Sequence, residues 1–360
     1  MDLRSFRGSY CIWGARRRVE EVLKKTVEEP LKELISWVED IKHKNGSSAA
    51  SLYIIKDDQV VLEHYSGRHS HEKNASHITE KAQYNVASAR KSYLGLTIAY
   101  ALHDKYISGL DDLITQYFPE FDKDLYKDTT IRHLVTHSHG LDSDEYGYIF
   151  REFKPGSSWA YRNVGVDIMT KLIHRLYGKG FPQLLNERVF TPLGFSETGW
   201  RTEPDENLVP IIDRIDKPAL PGLGTVSDGT EKNLFVSPRE FALWGQLHVQ
   251  KGMMNGRQIV PSKVIETATT IQNVSYSDST IPGNGLFWYV QDIPRNKSEL
   301  GERLPSGAYQ IVGVTGPTIL VIPAYNVVVA KMYNKRYNYG GDQYLYYLRE
   351  FSNKVADLFS

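Results

Sequence analysis

Between Arg17 and Lys42 the apolar residues Val19, Val22, Leu23, Val27, Leu31, Leu34, Ile35, Val38 and Ile41 alternate with charged ones at helical spacing. This pattern predicts an amphipathic helix, bent at Pro30 because proline lacks a backbone donor. After the polar break Asn45-Gly46-Ser47-Ser48, two β-rich runs, Ser51 to Ile55 and Val60 to His64, flank Asp57-Asp58 and predict a hairpin. Ser92 to Leu102 is apolar on nearly every side, as a helix inside a domain must be, and Ser88 sits at its N-terminal end. Further helices are expected around Thr130 to Thr136 and Val164 to Tyr177. Ser237-Pro238-Arg239-Glu240 combines an N-cap serine, a proline at the first helical position and a glutamate three residues after the cap, the signature of a capping box opening a helix through Leu247. Leu286 to Val290, Tyr309 to Val312, Thr318 to Ile322 and Val327 to Met332 read as short strands, and Asp342 to Leu358 as a closing amphipathic helix.

The order of these elements predicts an α+β fold of α/β-sandwich type: a central antiparallel sheet flanked by helices, with a helical domain inserted. Residues 1–78 and 215–360 would form a discontinuous sheet domain and residues 79–214 a mainly helical one, with the active site between them.

Composition narrows the function. In 360 residues, 43 Lys and Arg balance 43 Asp and Glu, so there is no net field to gather a phosphate backbone or an anionic membrane. Nucleic acid is not an expected partner. The basic run Arg16-Arg17-Arg18 is ended by Val19 and opposed by Glu20-Glu21, which reads as a solvated helix start. Cys11 is the only cysteine, so no intrachain disulfide can form. The N-terminus shows no continuous apolar leader, and no segment reaches the roughly 18 apolar residues of a membrane span; a cytoplasmic location is expected.

Serine followed three residues later by lysine places both side chains on one helix face, where an amine can take the hydroxyl proton. The pattern occurs at Ser70 with Lys73 and at Ser88 with Lys91. Ser70 lies in a polar stretch. Ser88 opens the apolar helix, where desolvation lowers a lysine pKa and the helix N-terminus favours a developing oxyanion, so Ser88 is the better nucleophile. Tyr161-Arg162-Asn163 follows the turn signal Lys154-Pro155-Gly156. A tyrosine near a lysine ammonium would ionise more readily and serve as general acid or base, and Asn163 could orient a carbonyl; a buried tyrosine with a helix-capping asparagine is the plainer reading. Ile311-Val312-Gly313-Val314-Thr315-Gly316 is a strand running into glycines, where the Val314 amide could meet an oxyanion together with that of Ser88.

Together these segments resemble the serine β-lactamase and penicillin-binding superfamily, particularly its class C and family VIII esterase-like branch. Ser88-x-x-Lys91 and Tyr161-x-Asn163 match its first two motifs in order. Thr130 to Leu141, Phe190-Thr191-Pro192-Leu193-Gly194-Phe195 and Gly313 to Gly316 also resemble it, over about residues 50 to 335. The resemblance implies an acyl-enzyme on Ser88, with Lys91 and Tyr161 catalytic. Asn163, Gly313 and Val314 would bind substrate, the last through a backbone oxyanion hole shared with Ser88. Substrates would be small esters, amides or lactams, and neither cofactor nor metal would be needed. The third motif usually begins with Lys or His where this chain has Ile311, a departure shared with nylon-oligomer hydrolases. That loss argues against carboxylate-bearing substrates and favours ester or amide hydrolysis over a class C-like β-lactamase or a D-amino-acid peptidase. Arg90 or Arg336 could substitute for the missing cation. Two further readings compete. A non-turnover penicillin-binding sensor has no need of Ser88, Lys91 and Tyr161 together. A metallohydrolase on His133, His137 and His139 lacks the glutamate of the zinc-protease helix, since Leu134 follows His133; structural histidines capping the loop that carries Gly140 are preferred.

Overall fold

The computed structural model describes residues 29–336 and 343–360. Cys11, Arg16-Arg17-Arg18, the arm of the first helix before the expected bend at Pro30, and Asp342 lie outside the described residues. The helix that is described, α1, runs Glu29–Asn45.

Six strands form the central sheet: β1 (Ala49–Lys56), β2 (Gln59–Gly67), β3 (Tyr289–Val290), β4 (Tyr309–Val312), β5 (Thr318–Ile322) and β6 (Val327–Tyr333). Their spatial order is β3-β4-β5-β6-β1-β2, with every neighbour antiparallel. The β1–β2 hairpin turns at Asp57 and Asp58, both with positive φ (50° and 62°), a conformation that aspartate tolerates better than most residues.

Side chains alternate across the sheet as a period of two requires. On β6, Val327, Val329 and Tyr333 join a core completed by Leu34, Val38 and Ile41 of α1 and by Phe351 and Val355 of the C-terminal helix (Tyr344–Phe359). Val328, Ala330 and Met332 face the larger core on the other side. On that side α4 (Pro238–Val249) packs on β1, β5 and β6, while α2 (Lys91–His103) and α3 (Val164–Tyr177) pack against each other within the same core; the C-terminal helix is α5.

Two details differ from the sequence expectations. Only Tyr289–Val290 of the run from Leu286 is strand, because the Leu286 and Phe287 amides donate instead to the carbonyls of Ala268 and Val135. The capping box of α4 is half made: Ser237 Oγ accepts from Glu240 N (3.1 Å), but the Glu240 carboxylate turns to the amides of Ser196 and Glu197 and to Thr198 Oγ1. Glu240 thereby ties α4 to a small four-stranded sheet ordered Thr198–Trp200, Leu234–Val236, Gln83–Asn85, Leu208–Val209. Its strand Gln83–Asn85 leads directly to Ser88.

Candidate active site

Ser88 stands in a 3-10 turn, Ala87–Arg90, between the strand Gln83–Asn85 and α2. Ala87 has φ +44°, a left-handed conformation that is unfavourable for an L-residue and persists only where neighbours enforce it. Asn85 is the enforcing residue. Its Oδ1 accepts from Ala87 N (2.9 Å), its Nδ2 donates to the carbonyls of Lys232 (2.9 Å) and Gly222 (3.2 Å), and its carbonyl accepts from Thr315 Oγ1 (2.8 Å). The bend leaves Ser88 half-exposed between buried Ala87 and Ala89.

Lys91, the first residue of α2, is 1% exposed. Its Nζ lies 3.1 Å from Ser88 Oγ and 2.5 Å from the Tyr161 hydroxyl. Burial, reinforced by the positive charges of Arg90 and Lys232, lowers its pKa well below the ordinary 10.5, while Glu299 and Asp167 pull weakly the other way. The side chain therefore gives up its proton more easily than an ordinary lysine. Ser70, by contrast, occupies a surface turn in which its Oγ accepts from Glu72 N (3.3 Å), and Lys73 is exposed; these two share no helix face.

Tyr161 departs from its expected electrostatics. Burial raises its pKa above the ordinary phenol value of 10, so the phenol ionises less readily, not more. The reason is that desolvation penalises the phenolate by more than the Ser88 hydrogen bond and the charge of Arg90 favour it. As a residue Tyr161 remains 36% exposed, although its hydroxyl points to Lys91. Its ring is backed by His137 (centroids 4.6 Å apart), which in turn meets Trp159 and Phe287 edge-on. Asn163 occupies the N-cap of α3, but its side chain does not cap the helix; that plainer reading is not what the structure shows. Its exposed amide makes no hydrogen bond with a described residue.

The opposite wall is the end of β4. A side chain at Gly313 would bring a Cβ to 2.3 Å from the Val86 carbonyl oxygen, so only glycine lets this strand approach the Ser88 turn. The Gly313 amide is occupied by the Pro317 carbonyl (2.8 Å), whereas among the described residues no acceptor meets the amides of Ser88 and Val314. Ile311, 3% exposed, is packed into the larger core. Of the two substitute cations, Arg90 is buried with its Nε toward the Glu231 carbonyl (3.4 Å), and Arg336 pairs with Asp213 (3.4 Å).

The three histidines go separate ways. His133 makes a reciprocal cap with Thr130 at the start of Ile131–Val135, and His139 Nδ1 accepts from Leu141 N (3.0 Å), beside Gly140. Burial, followed by the charge of Lys91, lowers the pKa of His137 well below 6.5, and the ring is neutral against Tyr161. Among the described residues no group of three His, Cys, Asp or Glu is arranged to hold a metal. Asn85 and Trp159 were not legible as site residues, being spread over the chain without a local motif, and His137, read from the sequence as a candidate metal ligand or a structural histidine, instead backs the Tyr161 ring.

The sequence model of the Beta-lactamase family matches residues 25–353. An uncharacterized protein of Alkalihalophilus pseudofirmus is 41% identical over 310 residues, covering 86% of this chain and 90% of its own. Penicillin-binding protein 4* of Bacillus subtilis is 25% identical over 162 residues, 38% of this chain and 35% of that one. Among solved structures, EstCE1, described as a hydrolase with promiscuous acyltransferase activity, superposes with a TM-score of 0.72 at 17% identity, covering 90% of this chain and 98% of its own. A class C beta-lactamase does so with a TM-score of 0.70 at 14% identity, covering 91% and 97%. The mixed α+β architecture around a central antiparallel sheet is that of these neighbours.

Proposed function

The chain belongs to the β-lactamase family, and we propose that within this family of serine hydrolases it cleaves an ester or amide through an acyl-enzyme on Ser88. The observation that carries the reading is the single Lys91 amine held within reach of both Ser88 Oγ and the Tyr161 hydroxyl. As Ser88 Oγ attacks the carbonyl carbon, its proton passes to Lys91. The oxyanion is received by the amides of Ser88 and Val314. Tyr161 gives its proton to the leaving alcohol or amine and recovers one from the Lys91 ammonium, leaving an acyl-Ser88 ester. Water attacks this ester, its proton taken by the same pair and returned to Ser88 Oγ. Asn163, exposed at the N-terminus of α3, orients the substrate carbonyl in this reading.

A fluorophosphonate probe tests this reading directly. It should label Ser88 alone, and Ser88→Ala should abolish both labelling and hydrolysis of p-nitrophenyl butyrate while the protein stays folded. Labelling at Ser70, or turnover surviving in Ser88→Ala, would show that the assignment is wrong.

A further inference from the structure

His137 is a buried titratable residue that the proposed chemistry leaves unused. It is 1% exposed, and its φ of 59° lies in the left-handed region, where asparagine, aspartate and histidine are found more often than other side chains. The turn around it is firmly tied: Ser138 N donates to the His133 carbonyl (2.9 Å), Thr136 Oγ1 lies 3.0 Å from Ser138 Oγ, and Gly156 N donates to the Ser138 carbonyl (2.8 Å). Neither ring nitrogen makes a hydrogen bond of ordinary geometry among the described residues, although the Arg162 backbone lies close enough to favour the protonated ring. Buried polar atoms left without partners are uncommon and costly, so a histidine kept here calls for a reason.

The reason lies in what Tyr161 needs. Residues 158–162 belong to no helix or strand, so no regular element aims the phenol at Lys91. His137 supports this segment twice. Its carbonyl accepts from Ala160 N (3.0 Å), the residue before Tyr161, and its ring lies against the phenol with centroids 4.6 Å apart and planes inclined by 32°. The same phenol ring has Lys91 Nζ 4.1 Å from its centroid. The imidazole is itself wedged in place, with Phe287 edge-on at 5.6 Å and Trp159 at 6.3 Å. Trp159 is pinned by its Nε1 donating to Asn284 Oδ1 (3.0 Å), and Phe287 by its amide donating to the Val135 carbonyl (2.9 Å). Of the three residue types that favour a left-handed backbone, only histidine brings a flat aromatic ring. The position therefore combines a backbone demand with a packing demand, and the ring nitrogens are incidental to both.

We infer that His137 is a positioning residue for Tyr161: its ring and its carbonyl together hold the phenol hydroxyl at Lys91 Nζ, and no proton passes through the imidazole. This inference rests on the hydrolase reading above. His137→Asn keeps a residue suited to a positive φ and removes the ring. Its kcat for p-nitrophenyl butyrate should fall about ten- to a hundredfold, as a small misplacement of a reacting group does. KM should stay within about twofold, because a ring buried behind the phenol does not reach substrate. In a Tyr161→Phe background the same substitution should cost no more than about threefold, since the hydroxyl it would misplace is already gone. His137→Phe keeps a ring, and Phe287 shows that an aromatic residue is accommodated beside this site at a φ of 67°. That variant should retain kcat within about threefold of wild type. Melting temperatures measured alongside establish which variants are folded. Wild-type kcat in His137→Asn, a loss just as large in the Tyr161→Phe background, or a folded His137→Phe as impaired as His137→Asn overturns the positioning role alone. Turnover surviving in Ser88→Ala overturns the hydrolase reading, and the positioning role with it.

Discussion

Lys91 Nζ and the Tyr161 hydroxyl lie 2.5 Å apart, and burial drives both toward their neutral forms: the lysine loses its proton more easily than usual and the phenol less easily. In the proposed mechanism two such groups share one proton path to Ser88. Lys91→Ala and Tyr161→Phe should each lower kcat by about 10² to 10⁴, the usual worth of a positioned acid or base. The double variant should lose little more than the worse single one. Losses that multiply, measured with p-nitrophenyl butyrate, would show two independent roles.

The same pair sets the pH dependence. In the proposed role of general base Lys91 must be unprotonated, and because its pKa is lowered, activity should extend to lower pH than an ordinary lysine would allow and be lost as pH falls through that depressed value. Tyr161 must keep its proton, and its raised pKa moves the alkaline limb above the ordinary phenol range. Glu299, whose pKa burial lifts to about 7, favours the Lys91 ammonium when ionised. Glu299→Gln should therefore shift the acid limb of kcat/KM for a neutral ester to lower pH. A shift to higher pH would contradict this electrostatic arrangement.

Gly313 is expected to be intolerant for a steric reason. In Gly313→Ala the new Cβ would stand 2.3 Å from the Val86 carbonyl oxygen, a rigid backbone atom one residue before the strained Ala87. β4 must move away from the Ser88 turn, which would pull apart the oxyanion hole proposed for the amides of Ser88 and Val314. Loss of a donor to an oxyanion costs about 10² to 10³ in kcat. Stopped-flow measurement of acyl-enzyme formation checks this; an acylation rate within a factor of three of wild type would remove Val314 from the proposed oxyanion hole.

What the sequence discloses depends on how far each feature is local. Val164–Tyr177 is bounded as expected, by Asn163 before it and after it by Gly178, whose φ of 67° ends the helix in a left-handed residue. The hairpin around Asp57-Asp58 and the strands of the C-terminal half are equally plain, because a sheet buried on both faces demands short, nearly continuous β-branched and apolar runs bounded by turns. Gln83–Asn85 and Thr198–Trp200 are too short to impress a period on the chain, so the sheet that delivers Ser88 went unseen. Ala87 carries no sign of its positive φ, which is forced by Asn85 and Thr315 from elsewhere. Lys91 and Tyr161 could be paired by motif, but the sign of the tyrosine shift followed only from knowing how deeply the pair lies.

Lys331 is a stability determinant remote from this chemistry. It projects from β6 into the smaller core, 3% exposed, with Nζ 4.1 Å from the centroid of the Phe351 ring and no ion-pair partner among the described residues. Burial lowers its pKa from 10.5 to about 7. Between these values the unfolded chain binds more protons than the folded one, so stability should rise from pH 7 to about 10.5, with the penalty for the buried ammonium fully present below pH 7. Lys331→Met keeps the aliphatic stem and removes that penalty. The variant should be more stable by about 2 kcal/mol at pH 6, an advantage that vanishes by pH 10.5. Urea denaturation at the two pH values checks it, and equal stability at pH 6 would mean that the aromatic rings fully offset the cost of the charge.

Ile311 decides how the protein should treat carboxylate-bearing substrates. A lysine in a motif of this kind can offer a substrate carboxylate a charge-assisted hydrogen bond of about 1.5 to 3 kcal/mol, roughly ten- to a hundredfold in affinity. Ile311 offers none, and its side chain is packed into the larger core. Arg336 is paired with Asp213, and Arg90 is buried with its Nε toward the Glu231 carbonyl, so neither takes the place of that lysine as arranged. Glu299, when ionised, adds a negative charge that Lys91 senses. Penicillins and cephalosporins, which carry a carboxylate next to the lactam, should accordingly be hydrolysed with kcat/KM at least tenfold below that of p-nitrophenyl butyrate. Ile311→Lys should narrow this difference while lowering the melting temperature, because the new ammonium would be buried close to a site that already holds Lys91 and Arg90. A wild-type protein that clears a chromogenic cephalosporin as fast as the neutral ester would show that another group receives the carboxylate, and the preference assigned to Ile311 would fall.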